Sequence, residues 1–224
     1  MKCRYCNNEC VKNGFQLNGI QRYKCNNCKR SQQKNYYYKA YLIETDLKIY
    51  KLLINSCGIS DTSRILNISR NTVSKRILLL SNKICQPKTL ELNQSYEIDE
   101  LKVKCFLNSN CWITYGINKC TKKVVSFVVG GRSKQYLSVV TDDVLKLHPK
   151  NVYTDKWISY KSIIPKDIHK FTRYKTNRIE RNNLNLRTHL KRLSRKTICY
   201  TKSLKYLEAT LKLYFWGDQL DFKY

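Results

Sequence analysis

Carboxylates are scarce in this sequence of 224 residues, which has 16 Asp and Glu against 43 Lys and Arg. Asp99 lies in the middle of a predicted strand. Asp155 follows the apolar run 152–154 at the carboxyl end of another strand, where open α/β sheets place ligands. Two such strands at the centre of a sheet would bring the aspartates together. Since neighbours on a strand face opposite ways, Asp99 should share a face with neither Ile98 nor Glu100.

Glu180 is the third candidate. From Lys170 to Lys205 there are 12 Lys or Arg, and Glu180 is the only acid. A salt bridge to Arg178 or Arg181 would account for a solitary carboxylate in such a stretch. Its position near the start of a predicted helix that returns to the sheet favours a third ligand instead.

Asp99, Asp155 and Glu180 would repel one another at close range and would shift each other's pKa unless cations lay between them. Mg²⁺ or Mn²⁺ is the natural occupant, because these hard ions bind carboxylates, water and phosphate oxygens. Two such ions could activate the attacking oxygen and stabilise the leaving oxygen of a phosphoryl transfer. Many α/β domains offer three acids, so spacing alone makes this site a hypothesis.

The formal charge of +27 predicts a polyanionic partner, since a compact fold this basic repels itself. Nucleic acid is the first candidate, and a membrane surface is the competing one. No apolar run approaches the roughly 18 residues of a spanning helix, and no signal peptide opens the chain. We therefore expect a soluble, cytoplasmic protein.

Cysteines form two knuckles near the start of the chain. Cys3 and Cys6 make the first Cys-x-x-Cys pair, Cys25 and Cys28 make the second, and 18 residues separate the pairs. This spacing predicts a closed tetrahedral zinc site with a structural role. Cys10 could compete as a ligand but has no partner at knuckle spacing. Four unrelated cysteines in a chain with 11 of them are the alternative.

The segment from Gly58 to Ile77 has the pattern of a helix-turn-helix, with a turn at Asn67 and Ser69 as a natural N-cap. A helical hairpin with a solvated polar face is the alternative. Val73, Ile77 and Leu80 fall on one buried stripe. The face left for DNA would carry Arg70, Asn71, Thr72, Ser74, Lys75 and Arg76.

After a linker near residues 86–94, the hydrophobic period changes from helical to alternating. Three strands are predicted at 96–104, 111–118 and 124–129, with turns at 108–110 and 118–122. A helix at 134–147, a strand at 151–154, a helix near 156–163, a strand near 168–171, and helices at 177–193 and 202–215 follow. This order predicts an α/β, ribonuclease H-like core with a mixed sheet flanked by helices. The predicted domains are a zinc-ribbon-like module at 1–35, a helix-turn-helix domain at 36–88 and a catalytic domain at 95–216.

Three parts of the sequence together resemble the insertion-sequence-1 family of bacterial transposases. These are the zinc-knuckle front end, the stretch Thr154–Tyr160 and the basic stretch Arg178–Ser203. That family has an Asp-Asp-Glu triad with 24 residues between the second and third acids, and 24 residues separate Asp155 from Glu180 here. Two departures accompany the likeness. Lys102 replaces an aromatic residue that is common three positions after the first acid. In addition, one reading frame encodes this whole chain, whereas many members join two frames by frameshifting.

The resemblance implies an enzyme that binds the terminal inverted repeats of its element and performs metal-dependent DNA cleavage and strand transfer. Synapsis of two ends would require at least a dimer. Trp157 and Tyr160 could stack on a frayed base, or could pack their helix onto the sheet. A non-catalytic DNA-binding regulator and a structure-selective or RNA–DNA hybrid nuclease are the alternatives. Further DNA contacts are expected from Arg181, Arg187, Lys191 and Arg192.

Overall fold

The computed structural model of the chain describes residues 1–35, 42–87, 91–105, 111–171, 176–197 and 199–222. Two compact units emerge from its contacts, Met1–Tyr41 and Leu42–Tyr224. The turn predicted at 108–110 and part of the linker near 86–94 lie outside the described residues. Among the described helices, none is long and apolar enough to cross a membrane.

A three-stranded antiparallel sheet forms the first unit. Its strands are β1 (Cys10–Phe15), β2 (Gln21–Cys25) and β3 (Ser31–Gln33), and β2 lies in the middle. In the described part of this unit, the buried apolar side chains are Cys3, Cys10 and Cys25. A sheet with so little apolar surface to bury cannot offset the entropy of ordering its chain, so the unit depends on a cross-link.

The second unit begins with three helices, α1 (Ile43–Ile54), α2 (Ile59–Leu66) and α3 (Arg70–Asn82). Asn67 ends α2 in the left-handed conformation, at φ 53° and ψ 46°. The Ser69 side chain accepts a hydrogen bond from the Thr72 backbone N–H at 3.1 Å, which caps α3 as its sequence predicts. The local pattern thus gives a short helix, a tight turn and a second helix.

Beyond these helices lies a five-stranded sheet in the order β6-β5-β4-β7-β8. Strands β4 (Ser95–Val103), β5 (Cys111–Asn118) and β6 (Val124–Gly130) form an antiparallel meander. Strand β7 (Asn151–Thr154) pairs parallel to β4, and β8 (His169–Phe171) pairs parallel to β7. Helices α4 (Lys134–Leu145) and α5 (Ile158–Lys161) lie in the connections that reach these two strands.

The two faces of the sheet bury different helices. Even-numbered β4 residues Tyr96 and Ile98 pack in one cluster with Val140 of α4 and Tyr160 of α5. The other face carries α6 (Asn177–His189) and α7 (Leu204–Trp216), and Leu101 packs with these helices. This mixed sheet flanked by helices is consistent with the expected ribonuclease H-like core.

The larger apolar cluster is shared between the first three helices and the sheet. It runs from Ile49 of α1 and Val73 of α3 through Leu211 of α7 to Ile113 of β5. The helical segment therefore completes the core of the sheet instead of standing alone, an association that local sequence patterns did not show. The domain boundaries drawn from the sequence stay predictions.

The long basic helix is shorter than predicted. Helix α6 ends at His189, and a separate 3₁₀ turn covers Lys191–Leu193 where the sequence predicted helix to residue 193. Leu190 leaves the helical conformation, at φ −120° and ψ 89°. Leu190 and Leu193 are both buried, so the chain bends to keep these two apolar side chains in the core.

An ion pair between α1 and α3 is largely buried. Arg76 Nε donates to Asp46 Oδ1 at 2.6 Å, and Arg76 Nη2 donates to Asp46 Oδ2. The two side chains are only 23% and 11% exposed. This bidentate contact holds α3 at a fixed angle to α1.

We expect Asp46→Asn to destabilise the protein by about 1–3 kcal/mol, because Arg76 would keep its charge in a partly buried place and lose a charged acceptor. Chemical denaturation of the variant would measure this loss. Glu44→Gln, which breaks an exposed pair with Lys48 on the same helix, is the matched control and should cost well under about 1 kcal/mol. Equal effects of the two substitutions would contradict the structural role of the Asp46–Arg76 pair.

Candidate active site

The sheet brings two of the three predicted acids together. Asp99 lies in β4 and Asp155 directly follows β7, and these strands are parallel neighbours. One carboxylate oxygen from each of Asp99, Glu100 and Asp155 lies within 4.8 Å of the others. Sequence reasoning missed Glu100 as a candidate ligand, although it placed Glu100 and Asp99 correctly on opposite faces of β4.

The shape of the sheet edge explains how Glu100 reaches its neighbour. Strand β7 pairs with β4 only along Ser95–Glu97, so the next residues of β4 flank a free edge on that side. Side chains from opposite faces can approach each other around such an edge. Tyr160 Oη donates a hydrogen bond to Glu100 Oε1, and Arg132 Nη2 lies 3.4 Å from Glu100 Oε2.

Burial raises the pKa of Asp99 to about 6 and the pKa of Glu100 to about 7. The charge of the nearby Asp155 carboxylate adds to both upward shifts. A group of acids in this environment gains a bound proton or a bound cation more readily than isolated carboxylates do. The residues therefore suit a hard divalent cation.

Glu180 stands at the border of this cluster. It lies in the first turn of α6, is exposed, and accepts a hydrogen bond from Thr176 Oγ1 at 3.0 Å. Within the described residues it forms no ion pair with Arg178 or Arg181, so the salt-bridge interpretation of this acid gains no support. Glu180 and Glu100 line one cleft of about 370 Å³, and the charge of Glu180 raises the pKa of Asp99.

Helix α6 is attached to β4 through two acids on the same face of the strand. Glu97 Oε2 accepts a hydrogen bond from the Ile179 backbone N–H at 2.8 Å, and Asp99 Oδ2 accepts one from Asn183 Nδ2 at 2.7 Å. Two residues span roughly 7 Å along a strand, and four span roughly 6 Å along a helix, so the two contacts match. Together they hold the first turns of α6, which carry Glu180, against β4.

Asn183 is itself oriented from behind. Tyr115 Oη donates to Asn183 Oδ1 at 2.8 Å, which turns the amide nitrogen toward Asp99. The other oxygen of Asp99 accepts the Glu100 backbone N–H at 2.8 Å. Sequence reasoning missed Glu97 and Asn183. Glu97 alone had a signal, because it shares the alternating face of Asp99.

The second aspartate is fixed by its own loop. Asp155 Oδ1 accepts the Trp157 backbone N–H at 2.9 Å, and Thr154 Oγ1 donates to the Asp155 carbonyl oxygen at 2.8 Å. His169 Nε2 lies 2.8 Å from that hydroxyl, so β8 supports the loop from the far side of β7.

The aromatic residues near the acids pack inside the protein. Tyr160 is fully buried, which favours its packing role over base stacking. Trp157 is half-buried, with the Arg132 guanidinium 4.0 Å from the centre of its ring. Lys102, which departs from the family pattern, pairs across the sheet with Trp112, and its Nζ lies 5.9 Å from that ring centre.

The residues predicted to contact DNA differ in availability. On α3, Arg70, Asn71 and Lys75 are exposed, Thr72 and Ser74 are half-buried, and Arg76 is engaged with Asp46. Farther along the chain, Arg181 and Lys191 are exposed, whereas burial lowers the pKa of both Arg187 and Arg192. Arg192 lines a hollow beside Cys57 and Gly58, and Arg187 lines the acidic cleft.

In the first unit, the four knuckle cysteines converge as their spacing predicts. The sulfur of Cys3 lies 3.5 Å from that of Cys28, and the sulfur of Cys6 lies 3.4 Å from that of Cys25. A tetrahedral zinc ion with bonds of about 2.3 Å would separate its thiolates by about 3.8 Å, so the cluster is compatible with zinc. The backbone N–H of Asn8 lowers the pKa of Cys6 to about 6, which favours the thiolate.

Cys10 stays outside this group, although it is buried beside it. Its sulfur accepts a hydrogen bond from Gln32 Nε2 at 3.3 Å, and burial raises its pKa. A protonated thiol suits this position better than a metal-bound thiolate.

The comparison with known protein families finds a match within the second unit. The family model described as IS1 transposase matches residues 97–218, more than half of the chain. The chain belongs to the IS1 transposase family. All three predicted acids fall inside the matched region, and the four knuckle cysteines and helices α1–α3 fall outside it.

Relatives in the family have been described from enteric bacteria. The chain is 36% identical over 100 residues to the insertion element iso-IS1n protein InsB of Shigella dysenteriae, covering 45% of this chain and 76% of that protein. It is 35% identical over 94 residues to an insertion element IS1 protein InsB of Escherichia coli K12, covering 42% of this chain and 56% of that protein. The chain thus spans little more than half the length of some of these relatives.

For the zinc cluster, we expect the double substitution Cys25→Ser and Cys28→Ser to remove about one zinc ion per chain, because two of four thiolate ligands are lost. Metal analysis of the purified protein would measure the content. Cys10→Ser, a buried neighbour outside the cluster, should keep its zinc. A zinc content that the double substitution leaves unchanged would exclude this site.

For the acidic cluster, we expect Asn183→Ala to weaken Mg²⁺ binding by about 10-fold or more, since an outer partner that orients a ligand contributes that much. The midpoint of Mg²⁺-dependent thermal stabilisation would measure it. Asn185→Ala on the same helix is the control. An unchanged midpoint for Asn183→Ala would show that Asp99 needs no orientation from α6.

Proposed function

We propose that this chain is a DDE-type DNA transposase, which binds the terminal inverted repeats of its element and catalyses strand cleavage and strand transfer. One observation carries the proposal. Asp99 and Asp155 meet with Glu100 at the free edge of β4, and Glu180 lines a cleft together with Glu100, in a chain that belongs to a transposase family.

Asp99, Asp155 and Glu180 are the proposed ligands of Mg²⁺ or Mn²⁺, and Glu100 lies close enough to contribute. The bound cations would supply positive charge to the attacking oxygen and to the oxygen that leaves phosphorus. The protein itself fixes the ligands. Asn183 orients Asp99, the Trp157 N–H orients Asp155, and the start of α6 places Glu180.

Two successive displacements at phosphorus complete the proposed reaction. In the first, water attacks the phosphodiester at the element end, its proton is lost, and the 3′-oxygen leaves as a hydroxyl. In the second, that 3′-hydroxyl loses its proton and attacks a phosphodiester of target DNA, which releases a new 3′-hydroxyl there. The number of phosphodiester bonds is unchanged in the second step, so no energy source is required.

The proposed reading of DNA rests on the other two segments. Residues 1–35 would form a zinc ribbon, residues 36–88 would hold the helix-turn-helix, and residues 95–216 would hold the catalytic core. Arg70, Asn71 and Lys75 project from α3 into solvent and carry the proposed base and phosphate contacts. Synapsis of two ends would require at least two copies of the chain, acting on genomic DNA in the cytoplasm.

Strand transfer should fall by about 100-fold or more in Asp155→Asn and in Glu180→Gln, because each would remove a metal ligand's charge. The assay would join an end-bearing duplex to plasmid DNA in Mg²⁺. Asp142→Asn, which neutralises an exposed acid on α4, is the matched control and should retain activity.

The outcomes separate this function from its alternatives. Unimpaired strand transfer by both site variants would show that the acids are wrongly assigned. End binding by the unmodified chain without any cleavage would instead favour a non-catalytic regulator. Cleavage of RNA–DNA hybrids in preference to element ends would favour a nuclease.

A further inference from the structure

Two arginines line the cleft that holds Glu180. Arg187 lies seven residues after Glu180 on α6, two turns along the same helical face, and Arg195 follows the 3₁₀ turn at Lys191–Leu193. The cleft of about 370 Å³ thus contains acids and guanidinium groups together. Arg195 was not among the residues that the sequence predicted.

The fold itself holds the two arginines close to each other. Ser194 Oγ donates a hydrogen bond to the Arg187 carbonyl oxygen at 2.9 Å, which ties the residue before Arg195 to the last turns of α6. The buried side chains of Leu190 and Leu193 anchor the chain between them. The bend that ends α6 early is what returns Arg195 to the cleft.

Neither guanidinium has an acidic partner among the described residues. Arg64, Arg76 and Arg132 each face a carboxylate within 4.0 Å, which Arg187 and Arg195 do not. The Nε atom of Arg187 is buried and has no hydrogen-bond partner. Burial, with the adjacent charge of Arg195, lowers the pKa of Arg187, and the charge of Asp99 offsets only part of this shift. Two such cations side by side are unfavourable unless an anion lies between them.

We propose that Arg187 and Arg195 form a clamp for one phosphate of the DNA backbone, next to the phosphate that reacts at the acids. The proposal rests on the function proposed above and names a subsite of that cleft. A phosphodiester offers two non-bridging oxygens, and the planar guanidinium fork binds such oxygens in pairs. The reacting phosphate belongs with the cations at the carboxylates, so the arginines serve its neighbour.

Neutralising single phosphates tests the clamp. A duplex carrying the element's terminal repeat would be made with one methylphosphonate at a time around the cleavage position, and binding would be measured in Ca²⁺ to prevent cleavage. For the unmodified protein, one position should weaken binding by about 10-fold. Arg195→Gln should bind the native duplex about 10-fold more weakly, and a methylphosphonate at that position should weaken its binding no further. The slope of its log affinity against log salt concentration should be shallower by about 1.

Matched variants separate the clamp from general charge. Lys196→Gln removes an exposed cation beside Arg195 and should remain fully sensitive to the methylphosphonate. Arg195→Lys should recover part of the affinity, since it restores charge without the planar fork. Melting temperatures would confirm that each variant is folded. If the affinity loss from Arg195→Gln and the loss from the methylphosphonate multiply at every position tested, the two act independently. That result would overturn the proposal.

A second measurement, with inorganic phosphate, distinguishes a site for the DNA backbone from a site for free phosphate. If inorganic phosphate stabilises the unmodified protein but not Arg195→Gln, and no methylphosphonate position couples to Arg195, the site binds free anions and the DNA clamp is wrong. Binding in Ca²⁺ does not depend on catalysis. Failure of strand transfer would therefore overturn the proposed function, while the coupling between Arg195 and one phosphate would still be measured.

Discussion

Two carboxylates on one face of β4 determine where helix α6 begins. Glu97 is fully buried and accepts the Ile179 backbone N–H, and Asp99 accepts the Asn183 amide one turn later. A buried acid is unfavourable unless donors satisfy it, and the first turn of a helix supplies free N–H groups and positive potential. This attachment brings Glu180, Asn183 and Arg187 to the acidic edge of the sheet.

The division of charge in the second unit follows from the same attachment. Acids gather at the free edge of β4, where β7 stops pairing, and basic residues of α6 and the following turn border the cleft. Among the described residues, Arg76 and Arg132 are neutralised by the buried acids Asp46 and Glu100. The basic residues behind the net charge of +27 are therefore not all equally available for binding. Only cations without an internal partner are available to a polyanion.

The sequence predicted most strands closely, because alternation and turn residues are local signals. The predicted strands at 111–118 and 151–154 have the observed bounds, and the meander and later strands keep their predicted order. The predicted end of α6 was wrong because the helical periodicity continues through Leu190 and Leu193, whereas the chain bends there to bury these side chains. Alternation placed Glu100 correctly on the face opposite Asp99, but it could not show that the two carboxylates approach each other around the strand edge.

The sequence by itself determined the residue types and spacings that specify a metal site, the paired cysteine knuckles and the family likeness, since these depend on neighbours along the chain. Only the tertiary structure decided which cations are free. Arg76 pairs with an acid 30 residues away, whereas Arg195 returns to a cleft built by β4 and α6. Such partnerships arise from folding that joins distant segments, and no local pattern encodes them.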